Sequence, residues 1–410
     1  MLAPSEQRFV RHGTYTGRSV LVVGALDIAT LSTAFLALQR AYPVLTCRIE
    51  EDADGVGYLL RSGPVTTGAW VRAGAVDQVG LPVQVVDPGV QLAYLDVVTG
   101  PESARVTLFA HHSVADAGHC VQLLIRLWEF YTDRVAPESV VPQAIPRSLE
   151  EYAAEQGIVR SAVSGFEDVT RPLPPEARVV PADPATPAPP ALARPLRAVL
   201  DATATARIVE LGHRPGLTVN GLVTAALLRA YVAETGSGAH ASVGCLYPVD
   251  LRTRFDPPVA RAAGSNMAGL ASFTAQVDLA DGSSALAHQI SSRLHHDLSE
   301  GIVQQSVLHF PDFYGPGRIH SLAGHVAVTN TGRVPAFRTP PELTLTDYEI
   351  VYLSAHPRPS TGASAAVTFL VYTFGGRLTV GVLGGGPVAR RLPAAVRREL
   401  ADLHAESVDA

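Results

Sequence analysis

Apolar positions along the chain switch repeatedly between a two-residue and a three-to-four-residue period. Ser19–Val23 reads as a strand, and Asp27 then caps a helix whose Ile28, Leu31, Phe35 and Leu38 share one face until Pro43 stops it. In Arg105–Ala110, Val106, Leu108 and Ala110 alternate as in a strand, and a helix follows with Cys120, Leu123, Leu124, Leu127 and Tyr131 on its buried side. Beyond residue 195 the same alternation resumes. Strands are expected at Leu196–Leu200, Ala241–Tyr247, Gly269–Val277, His325–Thr329, Ala365–Tyr372 and Arg377–Leu383. Helices are expected around Val219, Leu222, Val223, Leu227 and Tyr231, and over Ser284–Leu298 and Pro393–His404. Between the two regions, Pro172–Pro195 is rich in Pro and Ala and poor in large apolar side chains, as an extended linker is. The pattern predicts an α/β protein of two lobes, residues 1–170 and 196–410, joined by residues 171–195.

Composition narrows the chemistry. The 32 basic residues are all arginine. Without lysine there is no Walker-type phosphate loop, no pyridoxal Schiff base and no kinase-type strand lysine. Anions must be held by Arg, His, backbone N–H groups or helix N-termini. A net charge of −6 gives no basic surface for nucleic acid. Cys47, Cys120 and Cys245 form no CxxC pair, which speaks against a disulfide framework and a thiolate zinc site. Residues 1–13 lack the apolar core of a signal peptide, and no apolar run reaches the length of a membrane span. A reduced, soluble, cytoplasmic and monomeric protein is expected.

The densest ionisable cluster is His111-His112-Ser113-Val114-Ala115-Asp116-Ala117-Gly118-His119, between the Arg105–Ala110 strand and the helix after it. Side chains at such junctions point out of a sheet edge, where sites are commonly built. Three readings fit the spacing. A neutral His can take a proton from a hydroxyl attacking a carbonyl, with Asp116 held by an arginine. His112, Asp116 and His119 can share a helix face as metal ligands. Alternatively, two histidines are satisfied at a sheet edge while Asp116 caps the next helix. No Gly-x-Ser-x-Gly elbow is present, so a serine hydrolase is not expected.

The His-His-x3-Asp segment resembles the signature of the CoA-dependent acyltransferase and condensation-domain superfamily, in particular the polyketide-associated acyltransferases typified by the phthiocerol dimycocerosyl transferases. Tyr42-Pro-Val-Leu45, Tyr247-Pro-Val-Asp-Leu-Arg252, Gly301-Ile-Val-Gln-Gln-Ser306 with His309-Phe310, and Arg338-Thr-Pro-Pro341 resemble further blocks of that family, in family order. The resemblance implies two lobes like chloramphenicol acetyltransferase with mixed sheets and an active-site channel between them. It implies His112 as catalytic base and Asp116 as a structural carboxylate in an arginine salt bridge, with Arg252 or Arg48 as partner. It also implies acyl transfer from a CoA or acyl-carrier-protein thioester to a hydroxyl of a polyketide-type product or lipid, with no cofactor or metal.

Several residues carry secondary expectations. His111, Gln305, Ser306 and Asn330 are candidates to contact substrate, each with a plain structural alternative in packing, helix capping or a turn. Cys120, on an apolar helix face, is expected to be inert. The family's Gly after the motif Asp is replaced by Ala117, with Gly118 next; either Ala117 narrows the channel in favour of a short acyl group such as acetyl, or Gly118 does the same work. His111 and Asp116 also satisfy the His-x4-Asp spacing of membrane glycerolipid acyltransferases, but no accompanying phosphate-binding Arg motif is seen. Remaining alternatives are an amide-forming condensation enzyme, a diol-lipid esterifying transferase with a long acyl donor, and a non-catalytic binding module.

Overall fold

The structure is a computed structural model and describes residues 1–62, 69–175, 188–314, 317–322, 324–358 and 365–403. Two six-stranded sheets organise it. The first runs, from edge to edge, Trp70–Ala73, Ala93–Thr99, Ser103–His111, Thr14–Val23, Thr344–Ser354 and Ala191–Ala193. The second runs Ala268–Asp278, His240–Asp250, Val326–Arg333, Val367–Phe374, Arg377–Gly384 and Leu196–Val199. Both mix parallel and antiparallel neighbours, as the two-lobe α/β expectation requires.

Local sequence explains the elements that position the site. Asp27 caps Ile28–Ala41 by accepting from the N–H groups of Ala29 (2.9 Å) and Thr30 (3.2 Å). Leu31, Ala34, Phe35 and Leu38 of that helix are buried against the first sheet's helical layer with Leu123, Leu124 and Leu127 of the helix Ala117–Asp133. Arg134, with φ of 50°, ends the second of these helices in the left-handed conformation. The helix Val219–Thr235 differs from the one-faced pattern expected of it. Gly221 to Leu228 are buried on all sides, because the helices Ser283–Ser299 and Leu392–Asp402 both pack on it.

Packing does not divide at the proline-rich segment. Residues 176–187 of the expected linker lie outside the described residues, and its ends are strand-paired: Thr170–Pro172 with His320–Leu322, and Ala191–Ala193 with Tyr352–Ser354. Leu149, Ala153, Phe166 and Val169 belong to the second lobe's core, so that core begins about twenty residues before the expected boundary at 170. Conversely, Thr344–Ser354 crosses into the first sheet beside Thr14–Val23, and Tyr348, Ile350, Leu370 and Tyr372 join the first lobe's core. The physical reason is edge coverage. Without the crossover, Thr14–Val23 would expose a ten-residue row of unpaired backbone groups. Among the described residues, no helix is long and apolar enough to cross a membrane.

Candidate active site

The strand Ser103–His111 delivers the histidine pair to the seam between the lobes. His111 N donates to Leu92 O (2.8 Å) and His112 N to Thr14 O (2.7 Å), so the backbone leaves the sheet pinned on both sides. From the second lobe, Asn266 Nδ2 donates to the carbonyls of His112 (2.7 Å) and Ser113 (3.0 Å). The His112 ring stacks on Phe9 with centroids 3.9 Å apart and planes 4° from parallel, and Tyr352 lies nearly parallel at 6.1 Å. Protein surrounds the ring, yet His112 keeps some solvent-accessible surface. Burial pushes its pKa down to about 3, helped by the guanidinium groups of Arg8 and Arg18. His112 is therefore a neutral imidazole at physiological pH, able to accept a proton.

Asp116 holds the turn that carries His112. Its carboxylate faces Arg252 side-on, with Nη1 to Oδ2 at 2.7 Å and Nη2 to Oδ1 at 3.0 Å. Oδ1 also accepts from His119 N (2.9 Å), which caps the helix Ala117–Asp133, and Oδ2 from Met267 N (2.9 Å). Asp116 N donates to Ser265 O (2.9 Å). One carboxylate thus joins the motif turn, a helix N-terminus and the second lobe's 264–267 segment. Burial opposes ionisation of Asp116, but Arg252 and these N–H donors outweigh it and hold the carboxyl below its usual range. Arg48, the other candidate partner, pairs with Glu50 on the surface instead. Gly118 lies beside the clamp: a Cβ there would stand 3.4 Å from Arg252 Nη1 and 3.6 Å from Asp116 Oδ1, so any larger side chain crowds the ion pair. Ala117 is the first residue of the helix.

The other singled-out residues occupy different environments. His111 is fully buried, edge-on to Tyr15 at 4.9 Å, and its Nδ1 accepts from Ser113 N (3.3 Å); burial lowers its pKa to about 3. Gln305 donates to Val163 O (2.8 Å) and Ile302 O (3.1 Å), and its Oε1 accepts from Ser161 N (3.3 Å) and stands 3.0 Å from His309 Nε2. Ser306, fully buried, accepts from Leu270 N (2.9 Å) and donates to Val303 O (2.7 Å). These polar atoms hydrogen-bond within the fold. Asn330 is exposed; its Oδ1 accepts from Gly332 N (2.8 Å), across a register shift in its strand. Asn330 thus sits at an irregularity within the strand Val326–Arg333. The metal reading required His112, Asp116 and His119 to converge. Both Asp116 oxygens are instead occupied by N–H donors, and His119 is packed in the interior beside Tyr42. The Cys120 thiol is pushed up to about 12 by burial and is inert.

Phe9, Asn266, Tyr352, Glu6 and Ser265 were not visible as site residues in the sequence. Glu6 ties the N-terminal turn to the motif: its carbonyl accepts from Ser113 Oγ (2.8 Å) and its carboxyl from Ser265 Oγ. Burial raises the Glu6 carboxyl to about 7. These residues come from three separate stretches of chain, and no local spacing links them to His112. The clefts of about 510 Å³ at Val23–Leu26 and about 490 Å³ at Arg333–Phe337 hold no histidine, so the acid–base chemistry does not sit in them.

Residues 189–383 match the family model described as the C-terminus of phthiocerol/phthiodiolone dimycocerosyl transferase. The chain is 34% identical over 384 residues to the phthiocerol/phthiodiolone dimycocerosyl transferase of Mycobacterium sp. (strain JLS), covering 91% of this chain and 89% of that protein. Polyketide synthase associated protein 5 from Mycobacterium tuberculosis has the same fold, with a TM-score of 0.81 at 28% identity over 99% of this chain and 98% of that one. The first condensation domain of the CDA synthetase shares the two-lobe architecture, with a TM-score of 0.59 at 15% identity, covering 98% and 95%. By sequence over nearly its whole length, this chain belongs to the phthiocerol/phthiodiolone dimycocerosyl transferase family and is an acyltransferase.

Proposed function

We propose that the protein moves an acyl group from a CoA or acyl-carrier-protein thioester to a hydroxyl, with His112 as general base. The observation that carries this reading is a neutral, partly accessible imidazole held on a turn whose only carboxylate is fully occupied. His112 takes the hydroxyl proton as the oxygen attacks the thioester carbonyl. The tetrahedral intermediate then collapses, the C–S bond breaks, and the imidazolium returns the proton to the leaving thiolate. Asp116 positions the turn and does not exchange protons. No cofactor or metal enters this sequence.

The names of the relatives support a lipid diol as acceptor more than they support acetylation of a natural product. Gly118 beside Arg252 accounts for the glycine at the motif without invoking a channel narrowed by Ala117, which weakens the case for a short acyl donor. The amide-forming alternative has no observation in its favour. Turnover assays with a panel of acyl thioesters against long-chain diols and hydroxylated polyketides test the assignment; transfer to amines alone would overturn it.

The pH dependence provides a second check. A group whose pKa is depressed to about 3 is already deprotonated at pH 5, so kcat/KM should not fall between pH 7 and pH 5 with an inflection near 6.5. An inflection near 7 would report Glu6, and Glu6→Gln would remove it. An inflection near 6.5 that persists in Glu6→Gln contradicts the electrostatic environment assigned to His112.

A further inference from the structure

Thioester transfer needs a base, and it also needs a hydrogen-bond donor for the negative charge that develops on the carbonyl oxygen. Side-chain donors around His112 are mostly committed. Asn266 Nδ2 serves the carbonyls of His112 and Ser113, Ser113 Oγ serves Glu6 O, and Arg252 serves Asp116. Arg8 is screened, because the Phe9 ring that it overlies at 4.5 Å has its other face stacked on His112. Tyr352 is different. Its ring lies 6.1 Å from the His112 ring and 19° from parallel, it is half-buried, and its hydroxyl donates to nothing among the described residues. Burial raises its pKa, so the hydroxyl keeps its proton at physiological pH.

Strand pairing sets a cation beside Tyr352. Thr16 lies opposite Tyr352, Arg18 opposite Ile350 and Val20 opposite Tyr348, so these side chains share one face of the first sheet. Arg18 bends back along its strand toward the Tyr352 position: Nη1 donates to Thr16 Oγ1 at 2.6 Å and reaches Gly17 O at 3.4 Å. Arg18 is 2% exposed, on the face that carries Val20, Leu108 and Ile350 of the first lobe's core. It faces no carboxylate among the described residues, and its Nε is buried without an acceptor. Arg105 and Arg252, similarly buried, pair with Asp347 and Asp116 and join distant segments. Both Arg18 contacts go to residues one and two positions earlier in its own strand, so they tie no separate parts of the fold together. A buried cation without an anion costs stability, and two local hydrogen bonds do not offset that.

We propose that the Tyr352 hydroxyl is the oxyanion donor of the transfer step, and that Arg18 is a positioning residue whose buried charge favours negative charge beside that hydroxyl. The assignment rests on the thioester reading above. As the acceptor oxygen bonds to the thioester carbon, the carbonyl π pair moves onto oxygen and His112 takes the hydroxyl proton. The Tyr352 O–H stays intact and donates a hydrogen bond to that oxygen. On collapse the pair re-forms the C=O bond, the C–S bond breaks, and the proton passes from His112 to the thiolate. Tyr348 carries a second unbonded hydroxyl on the same face, but at 2% exposure it is sealed from substrate.

Tyr352→Phe removes the O–H and keeps the ring beside His112. With the thioester and alcohol that turn over fastest in the panel above, kcat is expected to fall about 10²-fold while KM for the thioester changes by less than about twofold. Arg18→Met removes the charge at similar length. It is expected to lower kcat about tenfold and to melt at or above the wild-type temperature, since it relieves an unpaired buried cation. Arg18→Lys keeps the charge and should recover most of that rate. Near-native kcat in Tyr352→Phe overturns the donor assignment. An Arg18→Met protein that melts lower with kcat unchanged, or a lost rate that Arg18→Lys does not recover, overturns the role of the Arg18 charge. The acid–base reading fails separately: turnover retained in His112→Ala removes it whatever Tyr352→Phe does. Turnover lost in His112→Ala but kept in Tyr352→Phe sinks the oxyanion assignment alone.

Discussion

His112→Ala is expected to lower acyl transfer by about 10²–10⁴-fold while leaving the protein folded. The size of the effect follows from the absence of a substitute base within the motif. His111 is sealed in the sheet interior, Asp116 is saturated by N–H donors, and the Cys120 thiol is buried and protonated. Folding should survive because His112 is anchored mainly through its backbone, by Thr14 and Asn266, and those bonds do not need the imidazole. The ring does stack on Phe9, so a modest drop in melting temperature is compatible with the assignment. Steady-state turnover with an acyl thioester, alongside near-ultraviolet circular dichroism, separates loss of chemistry from loss of fold. Near-native turnover in the purified variant would remove His112 from the mechanism. Asn266→Ala tests the anchor itself. It deletes both hydrogen bonds to the motif carbonyls and should reduce the rate less than His112→Ala does, since the base remains but its backbone is looser. An Asn266→Ala enzyme with an unchanged rate would show that Thr14 and the Asp116–Arg252 clamp position the turn without Asn266.

What could be read from the chain and what could not follow the range of the interactions. Helix starts are local events, and Asp27 and Asp116 are the caps their positions suggest. The strand ending at His111 is visible because its alternation is complete within a few residues. The identity of Asp116's partner was open between Arg48 and Arg252; it is decided by a contact between residues 136 apart, which no periodicity encodes. The crossover strand Thr344–Ser354 shows the same limit from the other side. Its sequence suits a strand in either lobe, and its placement beside Thr14–Val23 depends on an open sheet edge more than 300 residues earlier. Gln305 and Ser306 illustrate a different limit. Polar residues in a motif block suggest ligand contact, but here they satisfy the backbone at Ser161, Val163, Leu270 and Ile302. Phe9 was invisible because an aromatic residue near a chain end has many ordinary uses, and only the folded register stacks it on a histidine.

Asp116→Ala is expected to cost about 3–5 kcal/mol of stability, and Arg252→Ala a comparable amount, because either change strands a buried charge. Asp116 is 7% exposed and Arg252 3%, so water screens the pair little. The double variant should cost clearly less than the sum of the singles, since neither charge is then left alone. The loss includes a helix cap and the Met267 contact, so Asp116→Ala loosens the seam between the lobes as well as the turn. Asp116→Asn separates these contributions. An amide oxygen can still accept from His119 N, but the amide nitrogen faces the Arg252 and Met267 donors and cannot replace the second carboxylate oxygen. It should therefore be intermediate in stability and closer to alanine in rate. The pH dependence has a definite sign. A carboxyl whose native pKa is depressed stabilises the fold fully above the usual carboxylate range and loses that contribution only as pH falls through its native value. The stability gap between wild type and Asp116→Ala should thus be constant from pH 6 to pH 8 and close only in strong acid. A gap that closes near neutrality, or an Asp116→Ala protein as stable as the wild type, would mean that the Asp116–Arg252 pair does not hold the lobes and the catalytic turn together.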